Sequence, residues 1–206
     1  MTGAPIILVT GFGGFPGVPH NPCIEIIEHV QSHIQNLLGS VETLVLPVSY
    51  LKSINCLDVA IAQWKPDVIV ELGVSSRAEG LKVESMAYNV RNARIPDVDG
   101  IHCTNQPITK DVSIGFSLNS TLPLIKIVER MSETVKTHHS TDPGRYVCNN
   151  IYWHTLYKYP EIPSVFVHVP MFTEANYQSV MNGVIKMLDT IVIVECLIPK
   201  YDTPSG

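Results

Sequence analysis

Apolar and polar positions along this chain fall into short β-branched runs that alternate with stretches of helical period. Ile6–Thr10 is an apolar run that ends in glycines. After Asn21-Pro22, residues Ile24, Ile27, Val30, Ile34 and Leu37 recur at helical spacing, and Pro22 suits a first helical turn. Thr43–Val48 predicts a second strand, Ser53–Trp64 a helix, and Asp67–Leu72, which follows the breaker Pro66, a fully apolar strand. Thr121–Val135 predicts a further helix, Ser164–Val169 another buried strand, and Glu174–Glu195 a closing amphipathic helix. The stretch GRYVCNNIYWH places Cys148 just after a glycine-led turn, at the head of one more helical pattern. Strands that are apolar throughout must be covered on both faces. The alternation therefore predicts a three-layer α/β/α sandwich around a mixed, largely parallel sheet. With no internal repeat, low-complexity linker or shift in composition, residues 1–206 read as one domain.

The middle of the chain breaks this rhythm. Lys82–Val90 alternates like a strand, and Arg91–Gln106 is rich in Asn, Asp, Gly and Pro, the composition of a long irregular loop. Loops of that length in compact domains are often functional. Near the N-terminus, TGFGGFPG lies between strand and helix, where a phosphate cradle would lie. It matches neither GxGxxG nor GxxxxGK[ST], and Phe12 and Phe15 occupy it. An aromatic-lined pocket fits better.

Composition narrows the setting. A hydrophobic fraction of 45% supplies a closed core, and a net charge of −5 without Lys/Arg clusters lacks the footprint of a nucleic-acid or membrane-surface binder. The N-terminal apolar run is too short for a signal peptide, and MLDTIVIVECLI is interrupted by Asp189 and Glu195, so a soluble protein is expected. Five cysteines (Cys23, Cys56, Cys103, Cys148 and Cys196) show no CxxC spacing, which argues against zinc and against a disulfide framework and favours a reducing cytoplasm. No metal or organic cofactor is implied, and assembly into a homo-oligomer stays open.

Candidate chemistry centres on Cys148 and on His168 in VFVHVP, at the C-terminal end of a predicted core strand, where ligand sites of α/β sheets open. On spacing alone His168 reads as a core histidine satisfied by a backbone partner, and free cysteine is itself often a buried hydrophobe. Either Glu71, at the end of a buried strand, or Glu84, within an alternating one, could orient an imidazole. Glu71 reads equally as a strand-end carboxylate facing water.

Four ordered motifs change that balance. VTGFGGFPGVPHNP, LGVSSR followed by VESMAYNVRNARIPD, DPGRYVCNN and FVHVP together resemble the type I pyroglutamyl peptidase family, also called pyrrolidone-carboxylate peptidases, over nearly the whole chain. The resemblance implies a cysteine peptidase that removes N-terminal 5-oxoproline from blocked peptides. It assigns Cys148 as nucleophile, His168 as base and Glu84 as the orienting acid, and leaves Glu71 a structural part. The resemblance also implies a contact from the Arg94 loop; the chemistry of a flat lactam offers Phe12 and Phe15 as ring walls and Asn21 as a contact or, equally, as the helix N-cap before Pro22. The chain departs from the family's pattern where Gly14 precedes Phe15 and Pro16 follows it, where Ser85 replaces the arginine common in bacterial members, and where Val74 replaces a glutamine.

The chemistry is sound on physical grounds. A free thiol is only a few per cent ionised at neutral pH, so it needs a histidine partner and gains from a helix N-terminus. The pyroglutamyl group carries no amino charge, so its pocket should offer apolar walls and neutral hydrogen-bond partners. Two other readings are a nucleoside-phosphorylase-like enzyme, which would depend on phosphate, and a catalytically silent peptide-binding relative.

Overall fold

The computed structural model describes residues 5–33 and 40–197. In chain order the elements are β1 (Ile6–Phe12), α1 (Pro22–His33), β2 (Ser40–Leu46), α2 (Lys52–Trp64), β3 (Val68–Val74), β4 (Leu81–Glu84), β5 (Met86–Tyr88) and β6 (Ser117–Asn119). They continue with α3 (Leu124–Ser132), β7 (Thr137–Ser140), α4 (Val147–Lys158), β8 (Ser164–Val169) and α5 (Tyr177–Leu197). One sheet runs β2-β1-β3-β8-β4-β7, and β5 pairs with β6 separately. All neighbours in the large sheet are parallel except β4 and β8. The mixed, largely parallel sandwich is therefore the architecture observed.

Strand alternation divides the core between the two faces. Ile7 and Val9 of β1, Val68, Val70 and Leu72 of β3, and Val165, Val167 and Val169 of β8 pack with α1, α3 and α5. Leu8, Phe12, Ile69 and Phe166 point the other way, onto α2 and α4. The second face carries the site.

Where element ends differ from the sequence reading, the cause is local. β2 stops at Leu46 because Pro47 has no N–H to continue the ladder. Pro123 holds the chain before it out of helical geometry, so α3 starts at Leu124 rather than Thr121. Thr173 and Asn176 exchange backbone-to-side-chain hydrogen bonds of 2.8 and 3.2 Å, a reciprocal cap that moves the start of α5 past Glu174. The predicted strand 82–90 is split. Ser85 bonds Ser140 on one side and Ser120 on the other, so the residues before it join the large sheet and those after it join β6. β7, sequence THHS, carries no apolar alternation because it is a short edge strand. Ile34 and Leu37 of the predicted α1 stripe lie outside the described residues. No described helix is long and apolar enough to cross a membrane.

Contact between β1 and α1 is close enough to need glycine. A Cβ built on Gly11 would lie 2.9 Å from both Cys23 Cβ and Ile27 Cδ1. Gly11→Ala should therefore destabilise the protein by about 1–3 kcal/mol through overpacking, read as a lowered midpoint in denaturant unfolding. An unchanged midpoint would show that α1 can retreat freely.

Candidate active site

Register brings several polar side chains onto the α4 side of the sheet. Phe166 of β8 is the partner of Glu71 on β3 and of Glu84 on β4, and His168 is the partner of Gly73 and Lys82. Directly paired residues share a face, so Glu71, Gly73, Lys82, Glu84, Phe166 and His168 form two rows beneath α4. The diagonal step from Glu84 to His168 brings His168 Nδ1 to 2.9 Å from Glu84 Oε1. Both side chains are buried. Burial alone would raise the Glu84 pKa, but the hydrogen bond and charge of His168, with the charge of Lys82 (Nζ 3.5 Å from Oε1), outweigh it and hold it below the usual carboxylate value. An ionised Glu84 accepts the Nδ1–H of the imidazole, so Nε2 is the ring nitrogen left for proton transfer. His168 is thus satisfied by a carboxylate, not by the backbone partner that spacing alone suggested.

Helix α4 supplies the thiol. Cys148, Tyr152 and Thr155 lie on its sheet-facing side: the Tyr152 hydroxyl donates to Glu84 O at 3.1 Å, and Thr155 Oγ1 lies 2.8 Å from Glu71 Oε1. Cys148 is the second residue of the helix, and the first helical bond runs from Asn150 N–H to Tyr146 O, so the Cys148 N–H precedes the ladder. Its sulfur rests on Gly73, where a Cβ would lie 2.9 Å from Sγ and 2.6 Å from Phe166 Cζ. Since Gly73 is the register partner of His168, the sulfur lies over the strand position next to that of the imidazole. Burial pushes the thiol pKa up, the charges of Cys23, Glu84 and Glu71 add to this, and its own backbone N–H opposes them. Burial thus disfavours the free thiolate, and a base that takes the proton as the sulfur reacts offsets that cost.

A pocket of about 290 Å³, counted to its open mouth, adjoins the sulfur and is lined by Phe12, Phe15, Asn21, Val48, Val74, Tyr146, Val147 and Cys148. Phe12 is buried, and Phe15 is held half-exposed by the turn at Pro16-Gly17. There Gly17 has φ +90° and Phe15 and Val18 exchange backbone hydrogen bonds of 3.1 and 2.8 Å. Asn21 both caps α1, accepting from Cys23 N–H at 3.1 Å, and ties the loop by donating to Gly13 O at 3.1 Å. Val74 is a pocket wall, whereas Arg94 is exposed and outside the lining. Glu71 is not the water-facing strand end that its sequence suggested: β3 runs on to Val74, Glu71 is 1% exposed, and burial raises its carboxyl to about 8.

Sequence reasoning missed the groups that hold this arrangement. Asn149 accepts from Tyr88 N–H at 2.8 Å and donates to Tyr88 O and Val90 O, at 2.8 and 2.9 Å. Asn150 accepts from Arg91 Nε at 2.6 Å and donates to Tyr50 O at 3.0 Å. Asp97 accepts from the N–H groups of Tyr50, Asp99 and Ile101, at 2.8 to 3.0 Å, which staples the long loop. Two asparagines inside a helix's first turns, poor helix formers in a buried position, were the available signal.

The family model described as pyroglutamyl peptidase matches residues 6–197. A pyrrolidone-carboxylate peptidase of Brevibacillus brevis is 33% identical over 173 residues, 82% of this chain and 79% of its own. Its counterpart from Clostridium botulinum is 32% identical over 171 residues, 80% of this chain and 78% of its own. A crystal structure of Bacillus amyloliquefaciens pyroglutamyl peptidase I superposes with a TM-score of 0.83, covering 92% of this chain and 97% of that one at 23% identity, a likeness of fold.

The seat of the sulfur can be tested directly. Iodoacetamide should modify Cys148 ahead of the buried Cys23 and Cys103. Gly73→Ala should slow that modification roughly tenfold or more, because a Cβ 2.9 Å from Sγ must displace the sulfur from its seat. Peptide mapping that finds equal rates in both proteins would remove the seat as a requirement.

Proposed function

Because the chain belongs to the pyroglutamyl peptidase family, we propose that Cys148, His168 and Glu84 carry out its reaction, the removal of an N-terminal 5-oxoproline by a cysteine peptidase mechanism. The observation that carries this reading is the buried 2.9 Å contact of His168 with an ionised Glu84 on the sheet face beneath the thiol. His168 Nε2 takes the Cys148 proton as Sγ attacks the carbonyl joining 5-oxoproline to the next residue. The tetrahedral oxyanion collapses to a thioester as the C–N bond breaks and Nε2–H protonates the leaving amine. Water, deprotonated by His168, then attacks the thioester, and the departing sulfur recovers the proton. Glu84 fixes the tautomer and stabilises the imidazolium. The oxyanion is met by the Cys148 N–H at the head of α4.

Burial disfavours a standing thiolate, which favours general-base transfer as the sulfur attacks. Recognition rests on the pocket: its lining contains no carboxylate, lysine, arginine or histidine, as suits an uncharged lactam. Phe12 and Phe15 offer aromatic faces to the ring, and Asn21 holds the loop that carries them. Residues 1–206 act as one catalytic domain. Scattered cysteines and a net charge of −5 support work in a reducing cytoplasm on peptides rather than at nucleic acid or membrane.

Release of a fluorophore from a pyroglutamyl amide, without phosphate, tests the reaction. The prolyl amide should be rejected by up to ~10⁴, because it lacks the ring carbonyl that the site bonds. Phosphate-dependent turnover would favour the phosphorylase-like reading, and no turnover a silent relative.

Glu84→Gln should lower kcat by ~10 to 10³ with the thiol still open to alkylation, because the amide preserves shape and removes the charge that supports the imidazolium. Full activity in a correctly folded Glu84→Gln protein would reassign the third residue. Phe12→Ala and Phe15→Ala should raise KM more than they lower kcat, as expected for contacts made before bond breaking. Unchanged kinetics in both would discard the aromatic walls as recognition elements.

A further inference from the structure

Glu71 is an acid in a strand that is otherwise apolar up to Leu72, and the reaction outlined above makes no use of it. It lies at the centre of the sheet, paired with Thr10 on β1 and Phe166 on β8. From β1 it meets Thr10, and from β8 the row of Phe166 and His168. Beyond that row β4 presents Glu84 and Lys82, and Lys82 is engaged with Glu84. From α4 it meets Cys148, Tyr152 and Thr155; His154 of that helix is bound instead to Asp58 of α2 at 2.7 Å. On this side α2 packs Leu57, Ala60 and Ile61. No cation among the described residues is paired with Glu71, and its Oε2 has no hydrogen-bond partner.

Thr155 adds a proton count. Its hydroxyl lies 2.8 Å from Glu71 Oε1 and 3.1 Å from Ile151 O, and it has one proton to give. If that proton goes to the Ile151 carbonyl, as helical threonines commonly arrange, the Glu71 contact is satisfied only by a proton on Glu71 itself. A neutral carboxyl completes the chain from sheet to helix.

We propose that Glu71 is a positioning residue that works only in its protonated form: it ties Thr155, and with it the helix carrying Cys148, to the sheet without placing a negative charge beneath the thiol. The inference rests on the cysteine peptidase reading above. Loss of the proton leaves an unpaired buried charge on the same dry face as the sulfur, where it opposes thiolate formation; the charge of Glu71 is among those that raise the Cys148 thiol. Burial raises the carboxyl, the Thr155 hydroxyl opposes it, and the balance sets that loss at about pH 8. Glu71 therefore imposes an alkaline limit on the enzyme. Its folded pKa lies above the unfolded value of 4.5, so the native state alone keeps the proton between the two. Stability from this group is fully present below about pH 4.5 and declines as pH rises to about 8.

The test compares wild type with Glu71→Gln and, should that variant not fold, with the apolar Glu71→Met, each assayed on a pyroglutamyl amide at pH 7 and pH 9. The ratio of kcat/KM at pH 9 to that at pH 7 should rise about tenfold in either variant, the change in neutral fraction of a group titrating near pH 8. The fall of Tm between pH 5 and pH 8 should become shallower as well, a shift that a merely structural contact would not produce. An unchanged ratio overturns the proposal. So does an infrared titration of the wild-type protein that finds no protonated carboxyl at pH 7, a result needing no variant. A wild-type protein inactive on the amide at both pH values would instead sink the functional reading.

Discussion

Everything at this site depends on how closely α4 approaches the sheet at Gly73. A side chain there would occupy the space of Cys148 Sγ, so the absence of one lets the thiol settle beside the strand position paired with His168. The same approach brings Tyr152 to the Glu84 carbonyl and Thr155 to Glu71, so three successive turns of the helix are pinned to three places on the sheet. Asn149 and Asn150 fix the helix from its flanks, using side-chain amides as stand-ins for backbone partners. Buried amides of this kind are costly unless they find partners; here the amide nitrogens donate to backbone carbonyls, and the amide oxygens accept from Tyr88 N–H and Arg91 Nε.

Two acids flank Phe166 and meet opposite fates. Glu84 has an imidazole at 2.9 Å and a lysine nearby, and it stays ionised in spite of burial. Glu71, at equal depth on the other side, faces a threonine hydroxyl and no cation, and burial pushes it towards neutrality. The difference is one of partners, not of exposure. A single negative charge beneath the site supports an imidazolium; two would oppose the thiolate that the imidazolium is meant to accompany.

The loops follow the same economy of fixed hydrogen bonds. Asp97 gathers three backbone N–H groups, and the Tyr146 hydroxyl donates to Pro96 O at 2.9 Å, so the long segment after β5 is held against the pocket wall. The shifted proline of the Gly/Phe loop has a defined consequence. Pro16-Gly17 forms the turn that holds Phe15 at the rim, while Gly14 lies so close to Pro19 O that a Cβ would come within 2.4 Å.

By itself the sequence determined the layered architecture, because the apolar runs of β1, β3 and β8 can be satisfied only by burial on both faces. It determined the placement of Cys148 at a helix head and of His168 near a strand end, since both follow from local period and from breakers such as Pro66 and Gly144. Only the resemblance carried by the ordered motifs favoured Glu84 over Glu71; periodicity offered no preference. What only the tertiary structure decided is which side chains share a face across strands far apart in the chain. Register sets Glu71, Phe166 and Glu84 in one row, splits the predicted strand 82–90 at Ser85, and recruits the polar edge strand 137–140. Registers are fixed by long-range backbone pairing, which leaves no local trace in composition. For the same reason the depth of Glu71 was invisible: a carboxyl one residue before Leu72 looks the same in a sequence whether its strand stops there or, as here, continues into the sheet to Val74.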